Sequence, residues 1–313
     1  MLRFVLRRAL LAVPTLLAVV TVIFFAMRTL PGDPAYAILG DGATAESIAA
    51  LRERLGLDRP ILAQYLTFLG GLARGDLGTS LVFNAPVWRE LWRVLPFTLE
   101  LTLAAILIGT AIGVPLGIVS ALRRNGIVDY ATRVLSLLGL SFPVFFAGIL
   151  LILLFSIQLG WFPVISSGNA PGLGGRLQHL ALPAVAASLG LIAVITRATR
   201  SAMLEVLGLD YMRTARAKGL PRRIVVWRHA LRNALIPVVT VIGLYFGLVI
   251  GNSVLIEIVF NRPGLGKLIV GSLDTRDYPM VQGLLVVYAA LVILTNLVTD
   301  LAYGLLDPRV KRA

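Results

Sequence analysis

The sequence predicts an all-α polytopic membrane protein with six transmembrane helices, on three observations. First, 58% of its 313 residues are hydrophobic and only 14% are charged, more apolar than a soluble domain needs in order to bury a core. Second, apolar runs of about 20 residues, the length that crosses the hydrocarbon of a bilayer, recur from end to end. Third, the net charge of +13 is confined to alternate connections.

The first span, 9–28, follows the basic head "MLRFVLRR". The Ala-x-Ala ending at Ala37 also fits a cleavable signal peptide, but Ala9 to Met27 is longer than such a core, so an uncleaved helix is expected. The long connection 29–98 carries amphipathic helices. "TAESIAALRERLGL" opens with Thr44 as an N-cap, and "RPILAQYLTFLGGLARG" places Pro60 at a first helical position. "VWRELWRVL" leads into the second span, 99–122, where Gly109, Gly113 and Gly117 share one face. The third span, 134–159, contains Pro143, which predicts a kink. The fourth, 180–197, is the shortest. A loop at 203–233 precedes the fifth, 234–256, with Gly243, Gly247 and Gly251 at the same spacing of four. The sixth is 281–303. Each glycine face is read as packing within the bundle, with a contact to a second permease-like subunit or a place on the path as the alternative.

With the N-terminus placed inside, the inner segments hold 18 Lys and Arg against four acids, and the outer ones 11 against ten. This is the positive-inside pattern. It sets both termini in the cytoplasm and makes nucleic acid unnecessary as a partner. Trp88, Trp92 and Trp161 fall near the outer interface and Trp227 near the inner one.

Chemistry is sparse. "RPGLGKL" has Asn261 and Leu268 where a phosphate loop needs Gly and Ser or Thr, so no ATP site is expected in this chain. His179 and His229 stand alone and there is no cysteine, so no metal site is expected. No Gly-x-Ser-x-Gly occurs, and no catalytic residue is assigned. Glu100, Glu257 and Asp300 lie near span ends and are read as interfacial groups rather than proton carriers.

The densest basic run is "YMRTARAKGLPRRIVVWRHALRN", residues 211–233, with seven Lys or Arg and no acid. Asp210 is placed to cap a helix from Tyr211, Gly219 to stop it, and Pro221 to start another. Small Ala215 and Ala217 would let a partner approach. The run is either a solvated anchor for anionic lipid or a docking element for a cytoplasmic protein.

Several motifs bear on that choice. "DYMRTARAKGL", "RHALRNALIPV", "LPGDPA" (30–35), "GDLGTS" (75–80), "IEIVFNRPGLGKL" (256–268) and "RDYPMVQG" (276–283) resemble the B-type permease subunit of bacterial ABC importers of the dipeptide and oligopeptide (peptide, nickel, glutathione) branch. The general loop pattern Glu-Ala-Ala, three residues, Gly reads here Arg213-Thr214-Ala215, three residues, Gly219, and Arg232 stands where many members have Pro.

The resemblance implies a type I ABC importer permease fold over one transmembrane domain, 1–313, in the bacterial cytoplasmic (inner) membrane. It implies a second homologous permease subunit, two ATP-binding-cassette ATPase subunits and an extracytoplasmic substrate-binding protein as partners. ATP and Mg would be bound by the ATPases, and no cofactor by this chain. Asp210, Arg213, Thr214, Ala215, Ala217, Lys218 and Gly219 would form the helix that couples to the ATPase. Arg262, Pro263, Gly264, Gly266, Asp277 and Tyr278 would meet the binding protein at an outer gate. Asn252, Ser253 and Glu257 would line the path. The cargo stays open among dipeptides, oligopeptides, glutathione, nickel complexes and some sugars or opines. An ion-coupled carrier working without ATPases is the alternative.

Overall fold

The computed structural model describes residues 2–29, 34–39, 43–168 and 170–306. Residues 30–33 of the "LPGDPA" motif lie outside these, as do Asp307, Arg309, Lys311 and Arg312. In chain order the helices are α1 (Leu2–Thr29), α2 (Pro34–Leu39), α3 (Ala45–Leu55), α4 (Ile61–Ala73), α5 (Val87–Leu122), α6 (Ile127–Ser141) and α7 (Val144–Leu151). They continue with α8 (Gly172–Leu207), α9 (Asp210–Ala217), α10 (Arg222–Ile224), α11 (Leu231–Val259), α12 (Leu265–Asp274) and α13 (Tyr278–Leu306). π-helical stretches extend α7 (Ile152–Gln158) and join α10 to α11 (Val225–Ala230). Among the described residues the extended pairing is a single bridge, Thr79 with Pro86.

Five helical segments are long and apolar enough to cross a membrane: Leu10–Thr29, Val87–Leu122, Gly172–Leu207, Arg222–Val259 and Tyr278–Leu301. The sixth expected span is not one helix. α6 and the α7 segment to Gln158 meet at 103°, so the kink expected at Pro143 is a full break. The cause is local: Pro143 offers no N–H, and the residue before a proline is driven out of the helical region. Phe142 is accordingly extended, at φ −82° and ψ 130°. The other spans outrun their hydropathy limits, because an apolar window ends at the first charge while the helix does not. The fourth, expected to be shortest, is a 36-residue helix that accommodates Pro183.

The chain forms two compact units. One is built on Phe97–Pro263 with the last part of α13 from Leu294. Here α6, α7 and α11 pack on α8, around buried Leu101, Leu191, Ile195, Met203, Ile256 and Phe260. The glycine face of α5 lets α8 come close: a Cβ on Gly117 would stand 2.5 Å from Cβ of Thr199 and 2.7 Å from the carbonyl of Thr196. Gly109 and Gly113 meet Leu191 and Ile195 in the same way. The α11 set divides: Gly243 lies against Thr299, whereas Gly251 opens onto space.

The other unit is built on Arg7–Pro96 and Gly264–Ile293. Phe24 of α1 is fully buried, with ring centroids 5.2 Å from Tyr65 and 5.7 Å from Phe68 of α4. Thr21 and Tyr65 share a 2.6 Å hydrogen bond, and Arg28 donates to Gln64 and Gln282. Thr44 caps α3 as expected, accepting from the Ser47 N–H at 3.2 Å. Pro60 precedes α4 as its N-cap residue.

Exposed leucines such as Leu107, Leu135 and Leu137 cover the outside, a surface suited to lipid rather than water. All four tryptophans are exposed, as an interfacial aromatic belt requires.

Candidate functional site

The basic run folds as a short helix and a reversal. Leu209 is the extended N-cap residue of α9, with no side-chain cap bond. Asp210 is therefore the first helical residue rather than the cap. Its carboxylate is solvent-facing and pairs with Arg213 at 3.4 Å, where it still favours the positive helix end. After Ala217 the chain turns at Gly219, whose φ of +73° is left-handed backbone that glycine adopts without a Cβ clash. Pro221 opens α10.

The two faces of α9 differ sharply. Met212 and Ala215 are buried in the apolar cluster that includes Val206, Val225 and Val226. Arg213, Thr214, Arg216, Ala217 and Lys218 are exposed. Ala215 is thus not a gap left for a partner, since its own unit fills it; the small exposed residue is Ala217. Beside the helix, Leu122, Leu207, Arg216, Leu220 and Arg222 line a cleft of about 370 Å³. Trp227 and Ile224 add exposed apolar surface next to Arg223 and Arg228.

The residues expected at an outer gate are mostly interior. Arg262 is 2% exposed and donates through Nη2 to Glu100 Oε2 at 2.7 Å and through Nη1 to Ser166 Oγ at 3.1 Å. Its guanidinium lies 5.6 Å from the Phe97 ring centroid. Burial pushes that guanidinium down from its ordinary value, and Glu100 acts against the shift. Arg176 approaches the other oxygen of Glu100 at 3.6 Å. Glu257 is fully buried and accepts from Thr98 Oγ1 at 2.6 Å. Glu257 is therefore not the interfacial group expected from its place near a span end, whereas Glu100 keeps 29% of its side chain exposed. Ser253 is buried too, whereas Asn252 is exposed.

Asp277 is also fully buried. It accepts from Ser80 Oγ, from the N–H groups of Leu81 and Val82 at 3.3 and 3.2 Å, and from the Met280 N–H at 3.3 Å. One carboxylate thus caps α13 and pins the 80–82 turn, which is not a surface contact. Two distant motifs meet there: Gly78 lies beside Pro279, and a Cβ on Gly283 would press on Val87 and Leu77. Gly264 and Gly266 are buried, while Pro263 and Tyr278 are half-buried.

Sequence reasoning missed one site. Asp129, fully buried, receives Arg200 through Nε at 2.6 Å and Nη2 at 2.8 Å, Ser120 Oγ at 2.6 Å, and the Asn125 N–H at 3.0 Å. Along the sequence both charges bear only on topology, since a pairing across 71 positions leaves no local signal.

Comparison with known proteins covers almost the whole chain. Residues 113–312 match the family described as binding-protein-dependent transport system inner membrane component, and residues 1–102 match the N-terminal region of such membrane components. The glutathione transport system permease protein GsiC of Salmonella typhimurium is 43% identical over 311 residues, 99% of each chain. The di/tripeptide transport system permease protein DppB of Pseudomonas aeruginosa is 43% identical over 333 residues, again 99% of each. Among solved structures, a chain of the MetNI methionine ABC transporter in inward facing conformations superposes with a TM-score of 0.57 at 20% identity, covering 70% of this chain and 96% of that one. At that identity the likeness speaks for the fold alone.

Proposed function

The chain belongs to the family of inner membrane components of binding-protein-dependent transport systems, and from that premise we propose how its parts serve transport. It is a multi-pass permease subunit of an ATP-driven ABC importer. It is not itself an enzyme, because ATP hydrolysis in such importers resides in separate subunits. ATPase and binding-protein partners follow from the family.

The finer assignments are our reading. The cargo is a short peptide, with glutathione, itself a tripeptide, in the same class; the relatives' names support this. A second homologous permease completes the path, and two ATPases binding ATP and Mg dock on the cytoplasmic side. Both termini lie there, along with 203–233, while 29–98 lies outside; the one-sided basic charge supports that orientation.

α9 is the coupling helix. The observation that carries this is its division into two faces: exposed Arg213, Thr214, Ala217 and Lys218 against buried Met212 and Ala215. The exposed face seats in a groove of the ATPase, its cations steering toward acidic surface. The buried face is keyed into the same apolar cluster as α8 and α11, so displacing α9 moves those helices rather than bending a free loop. ATP binding elsewhere thereby biases a two-state permease. Arg262 and Asp277 hold their outer segments in shape from within, and Asn252 is the path-lining group that stays accessible.

The test uses the absence of cysteine. Ala217→Cys supplies the sole thiol of this chain, and a bifunctional reagent applied to the transport-competent complex should join it to an ATPase subunit. A complex that transports yet never yields that adduct would remove α9 from the interface.

A further inference from the structure

In the unit built on Phe97–Pro263, a groove of about 680 Å³ runs between α6, α8 and α11. Arg133, Arg197 and Arg200 line it, with apolar Leu137, Leu140 and Val194. The two helices that carry these residues run antiparallel: Asp129 meets Arg200, while Gly139 lies beside Ala193 and the Leu189 carbonyl. The three guanidinium groups therefore gather at one end, and the leucines and valine extend from them along the spans.

The charge there is only partly compensated. Arg200 commits Nε and Nη2 to Asp129. Arg133 and Arg197 are exposed, and among the described residues neither forms an ion pair with a carboxylate. No acidic side chain lines the groove. Leu137 is 60% exposed and Leu140 42%, so the apolar end is open as well. A ligand matching this has a compact anion at one end and hydrocarbon at the other. A peptide matches poorly, because its ammonium group would find no carboxylate here.

We propose that this groove binds an anionic phospholipid, with its phosphate between Arg133 and Arg197 and an acyl chain along Leu137, Leu140 and Val194. Guanidinium forks pair well with phosphate oxygens, and basic recesses between spans suit anionic headgroups. Bound there, the lipid bridges α6 and α8 at the end where Arg200 already joins them. The proposal rests only on the membrane-spanning reading of the chain, not on α9 as the coupling helix.

The experiment is native mass spectrometry of the whole detergent-purified importer, titrated with cardiolipin, phosphatidylglycerol and phosphatidylcholine. The two anionic lipids should be retained in preference to phosphatidylcholine. The double variant Arg133→Gln, Arg197→Gln should weaken that retention roughly thirtyfold, from the attraction expected of two cations near a lipid surface. Arg133→Lys with Arg197→Lys keeps the charge and should restore most of it, which separates lost binding from lost folding. Equal retention of all three lipids, or no change in the Gln variant, would overturn the site. Displacement of lipid by inorganic phosphate or by a dipeptide at equal concentration would also overturn it, assigning the groove to a soluble anion or to the cargo.

Discussion

Arg200 grips Asp129 with two parallel hydrogen bonds, at 2.6 and 2.8 Å, and the carboxylate is fully buried. The pair ties α6 to α8 on the helix that ends at the Pro143 break. Removing Asp129 leaves the Ser120 hydroxyl and the Asn125 N–H without their acceptor, while Arg200, 22% exposed on the groove, keeps access to solvent. Asp129→Ala is expected to cost about 1–3 kcal/mol, read as a lower unfolding temperature of the purified complex. Asp129→Leu combined with Arg200→Met should recover most of that loss. If the single variant melts like wild type, the pair is not a structural tie.

The close approach of α5 and α8 makes a graded prediction. Gly117→Ala places a Cβ against the Thr196 carbonyl, which cannot move without its helix, whereas at Gly109 the obstacle is the side chain of Leu191. The first should destabilise by roughly 1–3 kcal/mol and the second by less. Thermal unfolding of the two variants side by side gives the order; the reverse order would contradict the packing described.

Gly219 holds the turn after α9 at φ +73°, and a Cβ added there would meet nothing within 4 Å. Strain, not collision, is the obstacle to substitution at this position. Gly219→Val should therefore depress ATP-dependent uptake strongly, by forcing a β-branched residue into left-handed backbone, while Gly219→Asn should retain much of it. Vesicle uptake, normalised to the amount of complex in the membrane, measures both; similar uptake for the two would remove the backbone argument.

The exposed cations of α9 are predicted to matter through charge. Arg213→Glu with Lys218→Glu should lower co-purification of the ATPase subunits, most clearly at low salt, where surface charges are least screened. Because both side chains are exposed, the melting temperature of the permease should stay close to that of wild type, as surface changes usually leave stability nearly untouched. Undiminished co-purification at low salt would rule out electrostatic docking.

Asp277 caps α13 and fastens the 80–82 turn. Asp277→Ala should cost about 1–2 kcal/mol for the cap alone and open the chain near Phe83 to protease. Intact resistance to cleavage there would mean that the turn is held by other contacts.

The six apolar stretches were legible because lipid makes one demand of every spanning residue, and a window of about 20 residues registers it. The stop at Gly219, the cap at Thr44 and the turn at Pro143 were legible because each is a backbone property of one residue type. The roles of Arg262, Asp277, Glu257 and Ala215 were not. A charged residue beside a span reads as surface-facing until its partner is known, and those partners lie far off in sequence: Glu100 for Arg262, Ser80 for Asp277, Thr98 for Glu257.

The membrane class, the apolar stretches and the alternation of charge were readable along the chain because they follow from local composition and spacing, and the family resemblance because separated motifs such as "IEIVFNRPGLGKL" and "RDYPMVQG" carry it. The break of 103° in the third stretch, the burial of Ala215 with Ala217 left exposed on α9, and the buried charges of Arg262 and Asp277 that hold their own segments came from the three-dimensional packing. The reason is physical: hydropathy and backbone preference are properties of neighbours along the chain, whereas the cost of burying a charge is settled by whichever distant group arrives to pair with it.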